Sequence, residues 1–267
     1  MIEIQWIIAY LGLGLLVGFF AGLFGIGGGG IMVPILTSLF LSQGFDTHSV
    51  IHIALATSMT SIIFTAIASS KAHHQHRAVI WSIVTTITPG IIFGTFSATF
   101  IASQIPTQPL AIFFSIFMAY ISIQLLLNIK PKPSRQLPNT LGMNIVGTFI
   151  GSVSALVAIG GGTLSVPFML FCNVDAKKAI GTSAAIGLPI ALSGSCGYLI
   201  SGWNITNLPE YTLGYIYLPA VLLISSTSLL TAPLGAKLAH KLPIPRLKKL
   251  FAGLLILLSL KMLHSLA

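Results

Sequence analysis

Eight apolar runs, each long enough to cross a bilayer, take up most of this chain: residues 4–26, 47–70, 79–103, 107–129, 140–159, 176–202, 212–236 and 246–266. About 20 apolar residues span the hydrocarbon layer as a helix. Lipid offers the backbone no hydrogen-bond partner, so such runs fold as helices; the strand alternation of a membrane barrel is absent. Composition agrees. Charged residues are 6% and hydrophobic residues 55% of 267, against roughly 25% charged in a soluble domain. Thirteen Lys and Arg with four Asp and Glu cannot clothe a water-soluble body of this size. A cytosolic enzyme and a disordered chain are therefore excluded. The opening MIEIQWIIAYLGLGLL lacks a basic n-region, so it reads as a retained span rather than a cleaved signal. Cys172 and Cys196 lack metal-ligand spacing and read as small packing residues.

Two shorter apolar pieces, 31–42 and 163–172, each follow a glycine cluster, Gly27–Gly30 and Gly160–Gly162. Charge decides how they run, because Lys and Arg collect in cytoplasmic loops. If each piece merely extends the helix before it, Lys71, Arg77, Lys130, Lys132, Arg135 and Lys261 share one side and the other seven basic residues the opposite one. That is no bias. If each cluster is a hairpin, Lys261 alone parts from the other twelve. The hairpin reading puts both termini outside and loops 71–78, 130–138, 173–178 and 237–249 inside an inner membrane. Residues 163–172 reach only about 15 Å as a helix. Ten full crossings, or eight plus two re-entrant half-helices, both satisfy the count. The basic residues have no interleaved aromatics, so no nucleic-acid partner is expected.

The halves repeat. Gly14 and Gly18 answer Gly147 and Gly151, Gly27 answers Gly160, and Val33-Pro34 answers Val166-Pro167, all at an offset of 133. With another gap, Ala56-Thr57-Ser58 answers Gly181-Thr182-Ser183. Five elements per half is an odd number, so the second half is inverted relative to the first, an architecture shared by many secondary transporters. The expected fold is an all-α polytopic membrane protein of two inverted repeats with glycine-broken helical hairpins. Residues 1–130 form the first repeat and 139–267 the second, joined by a cytoplasmic linker, 131–138.

The glycine clusters are also the first candidates for chemistry. They let backbone approach a ligand, and the helix restarting after each turns free N–H groups and a positive end toward it. Pro34 and Pro167 fall close to the first turn, where a missing donor costs little. Close packing by small residues competes with this account; it covers Gly14, Gly18, Gly22, Gly147 and Gly151 better than four adjacent glycines. Thr57, Ser58, Thr182 and Ser183 hold matching places and can donate to an oxyanion, or instead bond the preceding turn. No Asp or Glu falls inside a span: Glu3, Asp46, Asp175 and Glu210 are at ends or in loops. Membrane cation sites and proton relays ordinarily use such residues, so an anion is favoured by elimination. His73, His74 and His76 read as a solvated basic loop, and His48 and His52 as a polar helix start, rather than zinc ligands. No catalytic residues, metal site or cofactor are expected, and HExxH, Walker A and a supported GxSxG are missing.

The segment GLLVGFFAGLFGIGGGGIMVPIL, repeated as GTFIGSVSALVAIGGGTLSVPFML and followed by AIGTSAA, resembles the TauE/SafE family of sulfite and organosulfonate exporters, over about residues 10–266. The resemblance implies bacterial-type inner-membrane transport of a small anion such as sulfite or sulfoacetate, without enzymatic activity. The expected substrate-binding residues are Gly27, Gly28, Gly29, Gly30, Thr57, Ser58, Gly160, Gly161, Gly162, Thr163, Thr182 and Ser183. Alternating access about a midplane site is the leading mechanism. An anion channel and a metal-dependent membrane protein built on the histidines are the rivals. A proton or sodium ion are both candidates for coupling. Reporter fusions should place the C-terminus outside; a cytoplasmic C-terminus would overturn the charge count.

Overall fold

The computed structural model describes residues 3–127, 135–241 and 245–266. Lys130, Lys132 and the linker residues 131–134 lie outside the described residues. Among those described, ten helices follow the apolar runs: α1 (Ile4–Phe24), α2 (Gly29–Ser42), α3 (Val50–Gln75), α4 (Trp81–Gln104), α5 (Thr107–Leu126), α6 (Thr140–Val157), α7 (Gly162–Phe171), α8 (Ala176–Ser201), α9 (Leu218–Lys241) and α10 (Pro245–Leu266). Seven are long and apolar enough to cross a membrane. The protein is an all-α polytopic membrane protein.

One expected span is corrected. Residues 212–217 are not the start of a helix but a β-hairpin, Thr212–Leu213 paired with Ile216–Tyr217. Gly214 takes φ +55° in its turn, and β-branched and aromatic residues favour the strands. The hairpin seals an aromatic cluster: the Tyr217 ring lies 5.5 Å from Phe40, 5.2 Å from Phe45 and 6.4 Å from Tyr10. Burial pushes the Tyr215 and Tyr217 hydroxyls up from their ordinary pKa, so both remain neutral donors.

Both short pieces return to the end they came from. Gln43, after α2, donates through Nε2 to the hydroxyl of Tyr10 on α1 at 2.5 Å. Arg135, before α6, donates its N–H to Phe171 O at the end of α7 at 3.4 Å. The two hairpins open toward opposite ends of the bundle. The end holding Arg135 also holds Lys71, Arg77, Lys177, Lys178 and Lys237, since Thr182 near the start of α8 bonds the residue before α4 and Ala236 packs on Gly22. Glu3, Asp46 and Glu210 lie at the other end with the start of α1.

The halves are laced together by small residues. Gly14, Gly18 and Gly22 set α1 against α9, and Gly147 and Gly151 set α6 against α4. Each half's first helix therefore packs on the other half's fourth. A Cβ at Gly18 would stand 2.5 Å from Ser228 O, and one at Gly147 2.5 Å from Ile87 O. Backbones this close leave no room for a side chain. Gly18→Leu or Gly147→Leu should cost about 3 kcal/mol or more by overpacking, read as loss of the monodisperse detergent-solubilised peak. Gly12→Leu and Gly253→Leu, with nothing within 4 Å of the added Cβ, should leave that peak intact.

Candidate functional site

The two broken helices meet at their breaks. Helix α1 stops at Phe24; Gly25, Gly27 and Gly28 follow with φ +68°, +72° and +87°, and α2 begins at Gly29. Helix α6 stops at Val157; Ala158 takes φ +47°, Gly161 φ +79°, and α7 begins at Gly162. L residues avoid this region at a cost of about 1–2 kcal/mol, so Ala158 is the strained counterpart of Gly25. Gly160 N–H donates to Ile26 O across the halves at 3.2 Å. A Cβ at Gly27 would lie 2.7 Å from Gly160 Cα; one at Gly29 would strike Ala158 O, and one at Gly162 would strike Gly25 O. At these three glycines, and at Gly160, the neighbour is the other half's backbone rather than open space. Gly28 and Gly161 are glycine for their φ; their Cβ positions meet Val17 and Ile190 side chains. Packing between the halves thus accounts for four of the clustered glycines.

Two small cavities of about 10 Å³ flank the crossing, each with room for about one water. One faces α3 and α8 and is lined by Gly25, Gly27, Gly160, Gly187, Thr65 and Ser69. The other faces α5 and α10 and is lined by Gly28, Gly30, Thr163, Met118, Phe251 and Leu255. The first turns of α2 and α7 converge on the second cavity. Pro34 and Pro167 are the sixth residues of their helices, one turn deeper than expected. Lacking an N–H, they leave Gly30 O and Thr163 O without the usual helical partner. A roomier space of about 490 Å³ lies away from the crossing, between α4 and α8, lined mostly by apolar residues such as Ile92, Phe96 and Leu192.

The expected hydroxyls divide. Thr57 Oγ1 accepts Tyr217 N–H at 3.0 Å, just before α9, and Thr182 Oγ1 accepts Ile80 N–H at 3.0 Å, just before α4. These are matching cross-half caps, and neither residue lines a cavity at the crossing. Ser183 donates to Ile180 O at 2.8 Å and to Gly25 O at 3.2 Å, which puts it against the first break. Ser58 is fully buried and has no hydrogen-bond partner among the described residues. Gly30 and Thr163 line the cavity on the α5 and α10 side.

Thr65 and Ser69 are cavity residues that the half-to-half comparison misses. Their signal is spacing along one helix. Thr57, Ser61, Thr65, Ser69 and His73 recur every fourth residue of α3, where side chains stack on one face, and all are 3% exposed or less.

The expectations for His73 and His52 are corrected, while His48, His74 and His76 are exposed as expected. His73 lies in the last turn of α3, fully buried, with Nε2 3.0 Å from Gly22 O. Its neighbour His74 faces outward and accepts from Trp81 Nε1 at 3.1 Å. His52 is buried too, with Nε2 within 3.2 Å of Ala102 O and Ile105 O. His73 and His74 point apart because successive helical residues are turned by about 100°. Among the described residues, no three His, Cys, Asp or Glu side chains converge as a metal would require.

Among the described residues, seven spanning-length helices surround paired glycine breaks, with backbone crossing backbone at the centre, the architecture of a polytopic membrane protein. The chain belongs to the TauE/SafE sulfite exporter family, whose profile matches residues 10–262. A Haemophilus influenzae protein described as a probable membrane transporter protein is 37% identical over 96% of this chain and 98% of its own length. Proteins of the same description from Methanocaldococcus jannaschii and Bacillus subtilis are 27% and 26% identical, covering 92% and 96% of their lengths. No solved structure matches the chain. The protein is a multi-pass membrane transporter. Thr57→Val and Thr182→Val should each lower stability by about 1–2 kcal/mol, the cost of orphaning one buried N–H. Thermal unfolding in detergent should show similar decreases for both, in keeping with their matching places.

Proposed function

We propose that this transporter carries a small sulfur-containing anion, such as sulfite, sulfoacetate or a related organosulfonate, out of the cell across the inner membrane. The observation that carries this reading is the convergence of the α2 and α7 N-termini, one from each half, on the cavity lined by Gly28, Gly30 and Thr163. Each helix end offers about half a positive charge, and among the described residues no Lys or Arg lines that cavity. Neutral donors hold an anion weakly enough to release it. Thr163 and Ser183 supply hydroxyls beside the breaks, and Ser58 supplies a third inside the bundle. Thr57 and Thr182 act on binding only through the helices they cap.

A cavity of about 10 Å³ is too small for an oxyanion, so loading requires the packing at the crossing to open toward one side. In this reading the two halves, 1–130 and 139–267, are inverted repeats. Because α1 is zipped to α9 and α6 to α4, the moving bodies are those mixed pairs rather than whole halves. The basic end faces the cytoplasm and the termini face outside, as the loop charges favour.

A ligand-stabilisation screen with sulfite, thiosulfate, sulfoacetate, taurine and sulfate tests the cargo. A true cargo at 100 times its Kd adds about 2.7 kcal/mol, read as a rise of several degrees in Tm. Thr163→Val should remove about 1–2 kcal/mol of that binding and leave the ligand-free Tm near wild type. Trans-stimulated uptake in proteoliposomes separates a carrier from a channel. No stabilisation by any of the five anions would sink the sulfur-anion reading.

A further inference from the structure

The two halves match in architecture but not in chemistry. His73 Nε2 lies 3.0 Å from Gly22 O on α1, and Tyr198 donates to Ala155 O on α6 at 2.9 Å. Gly22 and Ala155 differ by the repeat offset of 133, and His73 and Tyr198 by 125, as Thr57 and Thr182 do. Between the caps and these contacts α3 has Ser61, Thr65 and Ser69, where α8 has Ile186, Ile190 and Gly194. The cavity on the α5 and α10 side shows the same pairing at closer range. Ile26 and Ile159, Gly30 and Thr163, and Met118 and Phe251 all line it, and the members of each pair differ by 133. Each half thus supplies one member of every pair, and two of the three pairs are unlike.

The unlike pairs give the cavity a direction. The α7 end brings a hydroxyl, Thr163, and among the described residues that line the cavity Thr163 alone has a polar side chain. The α2 end brings Gly30. A Cβ there would lie 3.1 Å from Met118 Sδ and 3.2 Å from Leu255 Cδ2. Gly30 is therefore faced by the ends of two flexible side chains, where Gly27, Gly29 and Gly162 are faced by backbone. Phe251 is held more firmly, its ring 5.2 Å from Phe20 and 5.0 Å from Phe24. Met118 is fully buried, and its three rotatable bonds let it adapt to whatever it packs on. When the crossing loosens to load cargo, the wall that yields is Met118 and Leu255, over Gly30.

We propose that Gly30, Met118 and Leu255 form a tail pocket that selects, among small sulfur-containing anions, a sulfonate bearing a short uncharged alkyl group. This rests on the transport reading above and narrows its cargo. The oxyanion head takes the N–H groups at the breaks and the Thr163 hydroxyl, and the alkyl group lies over Gly30 against Met118 and Leu255. Sulfate, with oxygens on every side, would turn some of them to that wall, where no donor answers them. Taurine would bring an ammonium there and sulfoacetate a carboxylate, and a charge buried without a partner is heavily penalised. An alkyl group instead gains by leaving water, about fourfold in affinity for each methylene buried. The pocket thus reads the tail of the cargo while the helix ends read its charge.

Ethanesulfonate, taurine and sulfoacetate share one head and differ at the end of the tail, and sulfite supplies the head alone. Each is titrated into the detergent-solubilised full chain, and its Kd is read from the rise in Tm. Ethanesulfonate should bind at least about tenfold more tightly than taurine or sulfoacetate. Gly30 lies within α2, so Gly30→Ala suits the backbone and fills the pocket; the ratio of ethanesulfonate to sulfite affinity should fall about fourfold or more. Met118→Ala enlarges the pocket and should raise the ratio of butanesulfonate to ethanesulfonate affinity about tenfold; Leu255→Ala serves if that variant does not fold. A loss of stability alone would lower every affinity together and leave these ratios in place. Ratios unmoved in folded variants overturn the proposal. So does sulfite binding with ethanesulfonate no tighter than taurine or sulfoacetate, which leaves the anion site standing. If neither sulfite nor any sulfonate binds, the transport reading fails and the tail pocket with it.

Discussion

The contact between two glycine turns governs the rest of this structure. Gly160 N–H reaches Ile26 O, and Gly27 sits against Gly160 with no atom to spare. Backbone can meet backbone in an apolar interior only where polar groups are satisfied, and side chains would hold the turns apart. Each turn therefore completes the other. Helices α3 and α8 cover the crossing on one side, α5 and α10 on the other, and the small-residue seams α1–α9 and α6–α4 brace it. Glycine at Gly14, Gly18, Gly22, Gly147 and Gly151 serves the seams, whereas at Gly25, Gly27, Gly28 and Gly161 it also supplies the positive φ that turns the chain back.

Symmetry and asymmetry do different work here. Thr57 and Thr182 cap helices of the opposite half with equal 3.0 Å bonds, and His73 and Tyr198 clasp equivalent carbonyls. These repeated contacts hold the architecture. The repeat is broken at an imidazole opposite a phenol, and at three hydroxyls opposite Ile186, Ile190 and Gly194. All four carboxylates lie outside the spans.

Much of this was legible in the chain itself. Seven of the eight apolar runs foretold spanning-length helices among the described residues, because lipid allows the backbone few other choices. The glycine breaks were legible because runs such as Gly27–Gly30 have no use in a straight helix, and the hairpins because Lys and Arg sort by side. The same reading went astray at residues 212–217, where apolar length looked like a helix while Gly214 and the flanking Thr and Tyr residues favoured a turn and strands. It also misplaced His73: a basic neighbourhood resembles a loop until the length of α3 carries the residue into the bundle.

What the sequence by itself determined was the class of fold, its doubled plan and the positions of the breaks, since these follow from hydropathy, charge and backbone freedom, all local properties. The tertiary structure alone decided how closely the breaks meet. It put the backbone of one turn where an open anion site was expected, and it turned Thr57 and Thr182 to caps on other helices. It also brought Thr65 and Ser69 to a cavity beside the crossing. The physical reason is that a hydroxyl or a glycine has the same local preferences whatever it touches; its role is set by a partner more than 100 residues away, and no local pattern names that partner.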